Sequence, residues 1–331
     1  MLQPSPTRKR HGRLLRSGAA CLVLLAVAGY LAVQYVTGGA GSPGCKVVSG
    51  QDGGAVYEFT PEQAVNAAAI TAAGTARGLP ERAVTIALAT ALQESSLRNI
   101  EHGDRDSLGL FQQRPSQGWG TPERIMDPAY SAGMFYEHLV EVPGYTRLPL
   151  TVAAQRVQRS GFPQAYAKHE PDATLLAAAL TGRSAATLTC EGRPEAARAQ
   201  GPDAVRAALV RDFGQDVLRS AGSAADDAAT APTASPSPTA GPAGDASGSD
   251  GRTVTLPVTA GPGAREHLER RGWQLAHWAV ANASQLRVER VSYAGREWTA
   301  GHTGSKWHPT DAGGTRGAER AAGSVRITSA R

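Results

Sequence analysis

Cysteine is scarce in this chain of 331 residues, which contains only three. Cys21 lies within an apolar run, so Cys45 and Cys190 remain as an isolated pair. Two isolated cysteines argue against a metal site, and we expect neither a metal nor an organic cofactor. On the exported side of a membrane, where disulfides persist, an even pair predicts a bridge between Cys45 and Cys190.

Large apolar side chains are absent from residues 221–252, which contain no Leu, Ile, Val, Met or aromatic residue. The segment consists mainly of Pro, Ser, Thr, Ala and Gly, so it cannot bury a core. It is therefore predicted to be a disordered linker. Its position predicts two soluble domains, one over 45–220 and a smaller one over 253–331.

Basic residues are absent between Arg16 and Lys46. Residues 17–36 are almost entirely apolar and follow five Lys or Arg residues, which predicts a transmembrane signal anchor after a basic cytoplasmic tail over 1–16. The soluble domains would then be extracellular, attached to the cell membrane by one span, or secreted if the anchor is cleaved.

The formal net charge is +5, and much of this excess comes from the N-terminus. The net charge is therefore weak evidence for nucleic-acid binding, and we do not expect the protein to bind nucleic acid. A basic exported region would suit an anionic polymer such as a cell wall, but Ala, Gly and Arg are abundant throughout the chain, so the charge follows equally well from a biased composition. The expected oligomeric state is a monomer.

Helical patterns dominate residues 45–220, and no strand ladder is apparent there. Thr60, Pro61 and Gln63 have the spacing of an N-cap, a first helical position and a capping box. Further helices are predicted to begin near Pro80 and Thr121.

Glu94 stands near the end of the second predicted helix, beside its apolar face. Partial burial and the helix dipole would both favour the neutral acid, which can donate a proton to a leaving-group oxygen. Helix geometry also allows another interpretation, a surface glutamate paired with Arg98 four residues later. If Glu94 is the acid, Arg98 should point away from it.

Residues 106–113 read DSLGLFQQ, and Gln93-Glu94-Ser95 precedes them. Together these two motifs resemble the lytic transglycosylase and goose-type lysozyme group, which pairs a Glu-Ser with Gly-Leu-x-Gln on the next loop. The resemblance implies a lysozyme-like fold, with Glu94 as acid and then base, Ser95 supporting it and Gln112 lining a sugar groove. It also implies cleavage of the β-1,4 bond between N-acetylmuramic acid and N-acetylglucosamine in peptidoglycan, giving a 1,6-anhydro product.

The Ala-Tyr-Asn-Ala-Gly motif of that group is absent. Gln158 lies at a suitable point of the chain, and Tyr166 either replaces the missing tyrosine or belongs to the core. Phe111 and Trp119 are candidates to stack on sugar rings. The missing motif keeps two alternatives open: a hydrolytic muramidase, and a non-catalytic wall-binding or assembly protein.

Asp104 and Asp106 lie on the loop between the two motifs. Either carboxylate could position water in a hydrolytic muramidase, or both could serve the turn chemistry common in such loops.

The C-terminal region has the pattern of a helix over 264–285 followed by short strands, which predicts a small α+β domain. GWQLAHWAVANA and YAGREWTA resemble a small module of exported actinobacterial cell-wall proteins. His302, His308 and Asp311 match no strong metal-ligand motif. The expected fold class is a mainly α lysozyme-like domain with an N-terminal transmembrane helix, a disordered linker and a small α+β C-terminal domain.

Overall fold

The computed structural model describes residues 44–50, 54–161, 164–190, 201–218, 251–258, 265–301, 306–310 and 323–330. The anchor predicted over 17–36, the tail over 1–16 and residues 221–250 of the predicted linker lie outside these ranges. Within them, no helix has both the length and the apolar content that crossing a bilayer requires.

Seven α-helices occupy the described chain between residues 61 and 213. They are α1 (Pro61–Ala76), α2 (Glu81–Ser95), α3 (Pro122–Ile125), α4 (Pro128–Val140), α5 (Leu150–Gln158), α6 (Glu170–Leu180) and α7 (Pro202–Phe213). The capping box predicted for α1 is confirmed: Oγ1 of Thr60 accepts from the Gln63 amide at 3.3 Å, and Oε1 of Gln63 accepts from the Thr60 amide at 2.7 Å. These bonds satisfy donors that the first helical turn leaves free.

A three-stranded antiparallel sheet joins the two ends of this helical region. Its strands are β1 (Cys45–Val48), β2 (Val56–Phe59) and β3 (Leu188–Cys190), in the order β2-β1-β3. Cys45 and Cys190 are direct partners in the β1–β3 register and form the predicted disulfide, which is therefore confirmed. The bridge joins two points separated by 145 residues.

The expected fold class, a mainly α lysozyme-like domain with a transmembrane helix, a disordered linker and a small α+β domain, is wrong. The described residues form nine helices and two antiparallel sheets, with no helix able to span a membrane. The sheet formed by β1, β2 and β3 lies in the region predicted to lack strands. Its strands are only three or four residues long, too short for an alternating pattern to stand out, and β3 pairs with a strand at the opposite end of the region.

The C-terminal region contains α8 (Arg265–Ala281), the short α9 (Ala283–Leu286) and five strands. The strands are β4 (Thr253–Pro257), β5 (Val288–Tyr293), β6 (Arg296–Thr299), β7 (His308–Pro309) and β8 (Ser324–Ser329). They form an antiparallel sheet in the order β4-β8-β5-β6-β7. Alternate residues along the strands, such as Val254, Ile327 and Trp298, are buried on the face that α8 covers.

The other side of α8 packs against the helical region. Nε2 of Gln274 donates to Oγ1 of Thr75 at 2.7 Å, and Nε1 of Trp278 donates to the buried carboxylate of Asp212 at 2.8 Å. From the strand region, Nε1 of Trp307 donates to the carbonyl of Leu188 at 2.9 Å. All described residues accordingly belong to one compact unit. The boundaries predicted at 220 and 253 stay predictions.

Candidate active site

Glu94 lies in the last turn of α2, and neighbouring elements hold that helix end in place. Ser96 and Leu97 adopt left-handed backbone angles, with φ of 54° and 58°, which turn the chain sharply after the helix. Two side chains of α1 bind the carbonyls exposed by this turn: Gln63 reaches Ser96 at 2.7 Å, and Asn66 reaches Leu97 at 2.8 Å. The position of Glu94 is thus fixed relative to α1.

The Gly-Leu-Phe-Gln motif forms a tight turn, which we call the 108–113 loop. The backbones of Leu108 and Gln113 pair with each other at 2.9 and 3.0 Å. Gly109 has φ of 74° and lies so close to α3 that an added Cβ would stand 2.9 Å from the Ile125 carbonyl. Glycine is therefore required at this position both by conformation and by space.

Two side chains flanking the acid tie the 108–113 loop to the helices. Oγ of Ser95 donates to the carbonyl of Leu110 at 2.8 Å, and Nε2 of Gln158, at the end of α5, donates to the carbonyl of Phe111 at 2.7 Å. The consecutive carbonyls of Leu110 and Phe111 therefore each accept a hydrogen bond from a different helix, next to Glu94. These bonds give Ser95 and Gln158 a supporting position beside the acid.

A 3-10 helical segment, Ala165–His169, lies against the end of α2. The hydroxyl of Tyr166 donates to Oε1 of Glu94 at 2.7 Å, and Tyr166 is fully buried. Nε2 of His169 lies 3.2 Å from Oε1 of Gln93. The segment thus bonds to two consecutive residues of α2, and Tyr166 is both a core residue and a partner of the acid.

Burial raises the pKa of Glu94, while hydrogen bonds from Tyr166 and Gln158 partly oppose this effect. Burial and the nearby Glu94 raise the pKa of Tyr166, so its hydroxyl stays protonated and donates. Arg98 is exposed, and among the described residues it forms no ion pair with Glu94. The ion pair with Arg98, which would have lowered the pKa of Glu94, is thus not formed, while the direction of the Arg98 side chain stays a prediction.

The two aromatic candidates on the loop have other contacts. The Phe111 ring is fully buried and stacks on Phe135 with ring centres 4.8 Å apart, so the fold does not present it to a groove. Trp119 is half-buried against His138, at 4.3 Å between ring centres. Gln112 is the polar candidate on the same loop, and its Nε2 donates to the carbonyl of Gly109 at 3.3 Å. The expectation that Phe111 stacks on sugar is thus corrected, because its ring fills the core.

The two other carboxylates that the sequence offered, Asp106 and Asp104, are on the loop between the two motifs. Asp106 binds Arg114 at 2.7 Å and accepts from the Ser116 amide at 2.9 Å. The Ser116 and Arg114 hydrogen bonds hold the pKa of Asp106 well below its ordinary value. Asp104 is exposed. Asp106 therefore has a turn role, one of the two interpretations that the sequence left open.

Several residues that position the acid carry no signal in the sequence. His169 and Asn66 reach the end of α2 from segments 76 and 31 residues away from their partners. Single-residue polar contacts over such distances leave no periodic pattern. Only their proximity to the Glu94 motif in the folded chain identifies them.

Comparisons with known proteins bear on the other end of the chain. No curated protein matches this chain. Residues 216–320 match the family described as VldE, C-terminal domain, so the matched range begins after α7 and includes none of the residues around Glu94.

Proposed function

We propose that this protein is a peptidoglycan lytic transglycosylase that cleaves the β-1,4 bond between N-acetylmuramic acid and N-acetylglucosamine. The observation that carries the proposal is the half-buried carboxyl of Glu94, whose pKa is raised by burial and whose Oε1 is held by Tyr166. A raised pKa keeps the proton on a glutamate to higher pH, which favours the donation of that proton to a glycosidic oxygen.

In the proposed reaction, Glu94 donates its proton to the glycosidic oxygen while the bond from that oxygen to C1 of N-acetylmuramic acid breaks. The resulting carboxylate then removes the proton from the C6 hydroxyl of the same sugar as that oxygen attacks C1. The products are a free N-acetylglucosamine hydroxyl and a 1,6-anhydro ring, and Glu94 regains its proton. The Tyr166 hydroxyl stabilises the carboxylate between the two steps.

The surroundings of Glu94 favour this route over a hydrolytic muramidase. An inverting hydrolase needs a second carboxylate to activate water. The side chain that donates to the Glu94 carboxyl is Tyr166, a hydroxyl. Asp106 is already bound to Arg114 and the Ser116 amide.

The disulfide between Cys45 and Cys190 supports a site of action outside the cytoplasm, because such bridges persist in oxidising compartments. Peptidoglycan is the proposed partner, because it lies outside the cytoplasm and contains the glycosidic bond on which Glu94 would act.

The test is digestion of purified peptidoglycan by the full chain, followed by mass spectrometry of the released muropeptides. We expect 1,6-anhydro products, each lighter by one water than the corresponding reducing sugar. Glu94→Gln should release none, while Glu101→Gln, at an exposed position on the following loop, should act as wild type. Reducing ends would indicate a muramidase, and no release by the folded wild-type chain would indicate a binding protein.

A further inference from the structure

The sheet of the C-terminal region has one face that no described element covers, which we call the open face. Strand alternation places polar side chains there, opposite the apolar residues beneath α8. The members that matter most are Thr255, Arg326, Ser292, Thr328, Arg290 and Glu297. The face is concave and encloses about 770 Å³.

Three unpartnered donors lie in one row at the centre of the open face. Arg326, on β8, is the direct register partner of Thr255 on β4 and of Ser292 on β5. Arg326 is exposed, and none of the three side chains forms a hydrogen bond or ion pair among the described residues. Register partners stand about 5 Å apart, so the three donors span about 10 Å.

The open face has three arginines and two glutamates, and Arg326 is the arginine without a glutamate beside it. Arg252 lies 3.8 Å from Glu289, and Arg290 lies 3.4 Å from Glu297. Each glutamate lining the face therefore has an arginine beside it, whereas Arg326 has no carboxylate. The Arg290–Glu297 pair is long, and its arginine is exposed, so an incoming anion displaces it at little cost.

Phenylalanine, tyrosine and tryptophan are absent from the residues that line the open face. Trp298 and Tyr293 belong to the same sheet, but both are buried on the opposite side. A neutral sugar chain would therefore find no ring to stack on. The face instead offers hydroxyl and guanidinium donors, which suits an anion.

We propose that the open face binds phosphate groups of an anionic polymer built from short polyols joined by phosphodiesters. A guanidinium binds two oxygens of an anion side by side, which already satisfies a carboxylate. A phosphodiester has two such non-bridging oxygens and two ester oxygens besides, and the hydroxyls of Thr255 and Ser292, on both sides of Arg326, donate to these oxygens. The next row of the face, with Arg290 and Thr328, lies about 7 Å along the strands and receives the neighbouring phosphate.

The test is isothermal titration calorimetry of the full chain with a synthetic glycerol phosphate oligomer, and with polyglutamate of equal charge, at fixed ionic strength. We expect Arg326→Gln to weaken binding of the phosphate oligomer by about tenfold or more, since a charge-assisted bidentate contact is lost. Arg296→Gln removes the same charge from the same sheet, but its side chain alternates with Glu297 and points away from the open face. It should bind as wild type.

The hydroxyls have their own test. The double variant Thr255→Ala/Ser292→Ala should weaken binding of the phosphate oligomer while leaving any weak binding of polyglutamate unchanged. Binding by Glu94→Gln should equal that of wild type, which separates this proposal from the one about catalysis.

The proposal is overturned if the wild-type chain does not bind the phosphate oligomer, if Arg326→Gln binds it equally well, or if polyglutamate binds as tightly. Circular dichroism of each variant verifies the fold, and none of the substituted side chains is fully buried, so the fold should tolerate the changes.

Discussion

The hydroxyl of Tyr166 donates a hydrogen bond to Oε1 of Glu94 across 2.7 Å, although the two residues stand 72 positions apart in the chain. Tyr166 is fully buried, so the surrounding core holds its ring and fixes the direction of this bond. The bond orients the carboxyl and opposes part of the pKa rise that burial causes. Tyr166 therefore sets both the geometry and the protonation of the proposed acid.

Tyr166→Phe should raise the pKa of Glu94 further, because the variant loses a hydrogen bond that lowers it. The acid must be protonated to act, so the basic limb of the kcat/KM profile should move to higher pH. At its optimum the rate should fall by about tenfold to a hundredfold, since the carboxyl loses its orientation. The measurement is muropeptide release as a function of pH.

Tyr130→Phe is the matched control, because the Tyr130 hydroxyl donates to the carbonyl of Trp119 and not to the acid. Its pH profile should coincide with that of wild type. A basic limb that stays in place or moves to lower pH in Tyr166→Phe would contradict the role given to this bond.

Ser95→Ala should destabilise the protein by about 1–3 kcal/mol, because the buried carbonyl of Leu110 loses its donor. Thr90→Val is the comparison, since the buried Thr90 hydroxyl donates only to Ile86 within its own helix. Urea unfolding should show the larger loss for Ser95→Ala. Equal losses would mean that the tie to the 108–113 loop contributes nothing.

Gly182→Ala tests the packing of the turn after α6 against α8. Gly182 has φ of +76°, and an added Cβ would overlap the carbonyl of Arg270. Gly78 has a similar φ of +67° with open space around it, so Gly78→Ala incurs the backbone strain alone. Gly182→Ala should therefore lower the free energy of unfolding by about 1–3 kcal/mol more than Gly78→Ala. Equal costs would show that α8 does not press on this turn in solution.

His277 should make the protein less stable in mild acid. Its Nδ1 donates to the carbonyl of Ala179 at 2.7 Å, its Nε2 is buried without a described partner, and burial lowers its pKa to about 4. Because the folded pKa lies below the ordinary value of 6.5, the unfolded chain takes up the proton first as pH falls. The stabilisation that the neutral His277 gives the folded protein is present in full above pH 6.5. It is lost as the pH falls towards 4, which lowers the free energy of unfolding by about 3 kcal/mol in all.

The check is the free energy of unfolding of wild type and His277→Gln between pH 4 and 7. The variant should show a shallower decline, while His267→Gln, exposed on the same helix, should keep the wild-type slope. Parallel curves for wild type and His277→Gln would contradict the prediction.

Prediction from sequence was most successful where the signal is local. The capping box of Thr60 and Gln63 depends on residues three positions apart, and the structure contains it. The helix carrying Glu94 was predicted to begin near Pro80, and it begins at Glu81. Cys45 and Cys190 were paired by elimination, which succeeded because two cysteines allow one bridge.

What only the tertiary structure decided involves partners far apart in the chain. The sheet of β1, β2 and β3 escaped prediction because short strands become recognisable only when paired. Phe111 looked like an exposed loop aromatic, but the 108–113 loop turns its ring into the core. By itself, the sequence determined the helix ends, the bridge and the candidate acid, since these follow from nearby residues or from counting. Folding decided what surrounds that acid, because burial and the bond from Tyr166 exist only when distant segments pack together.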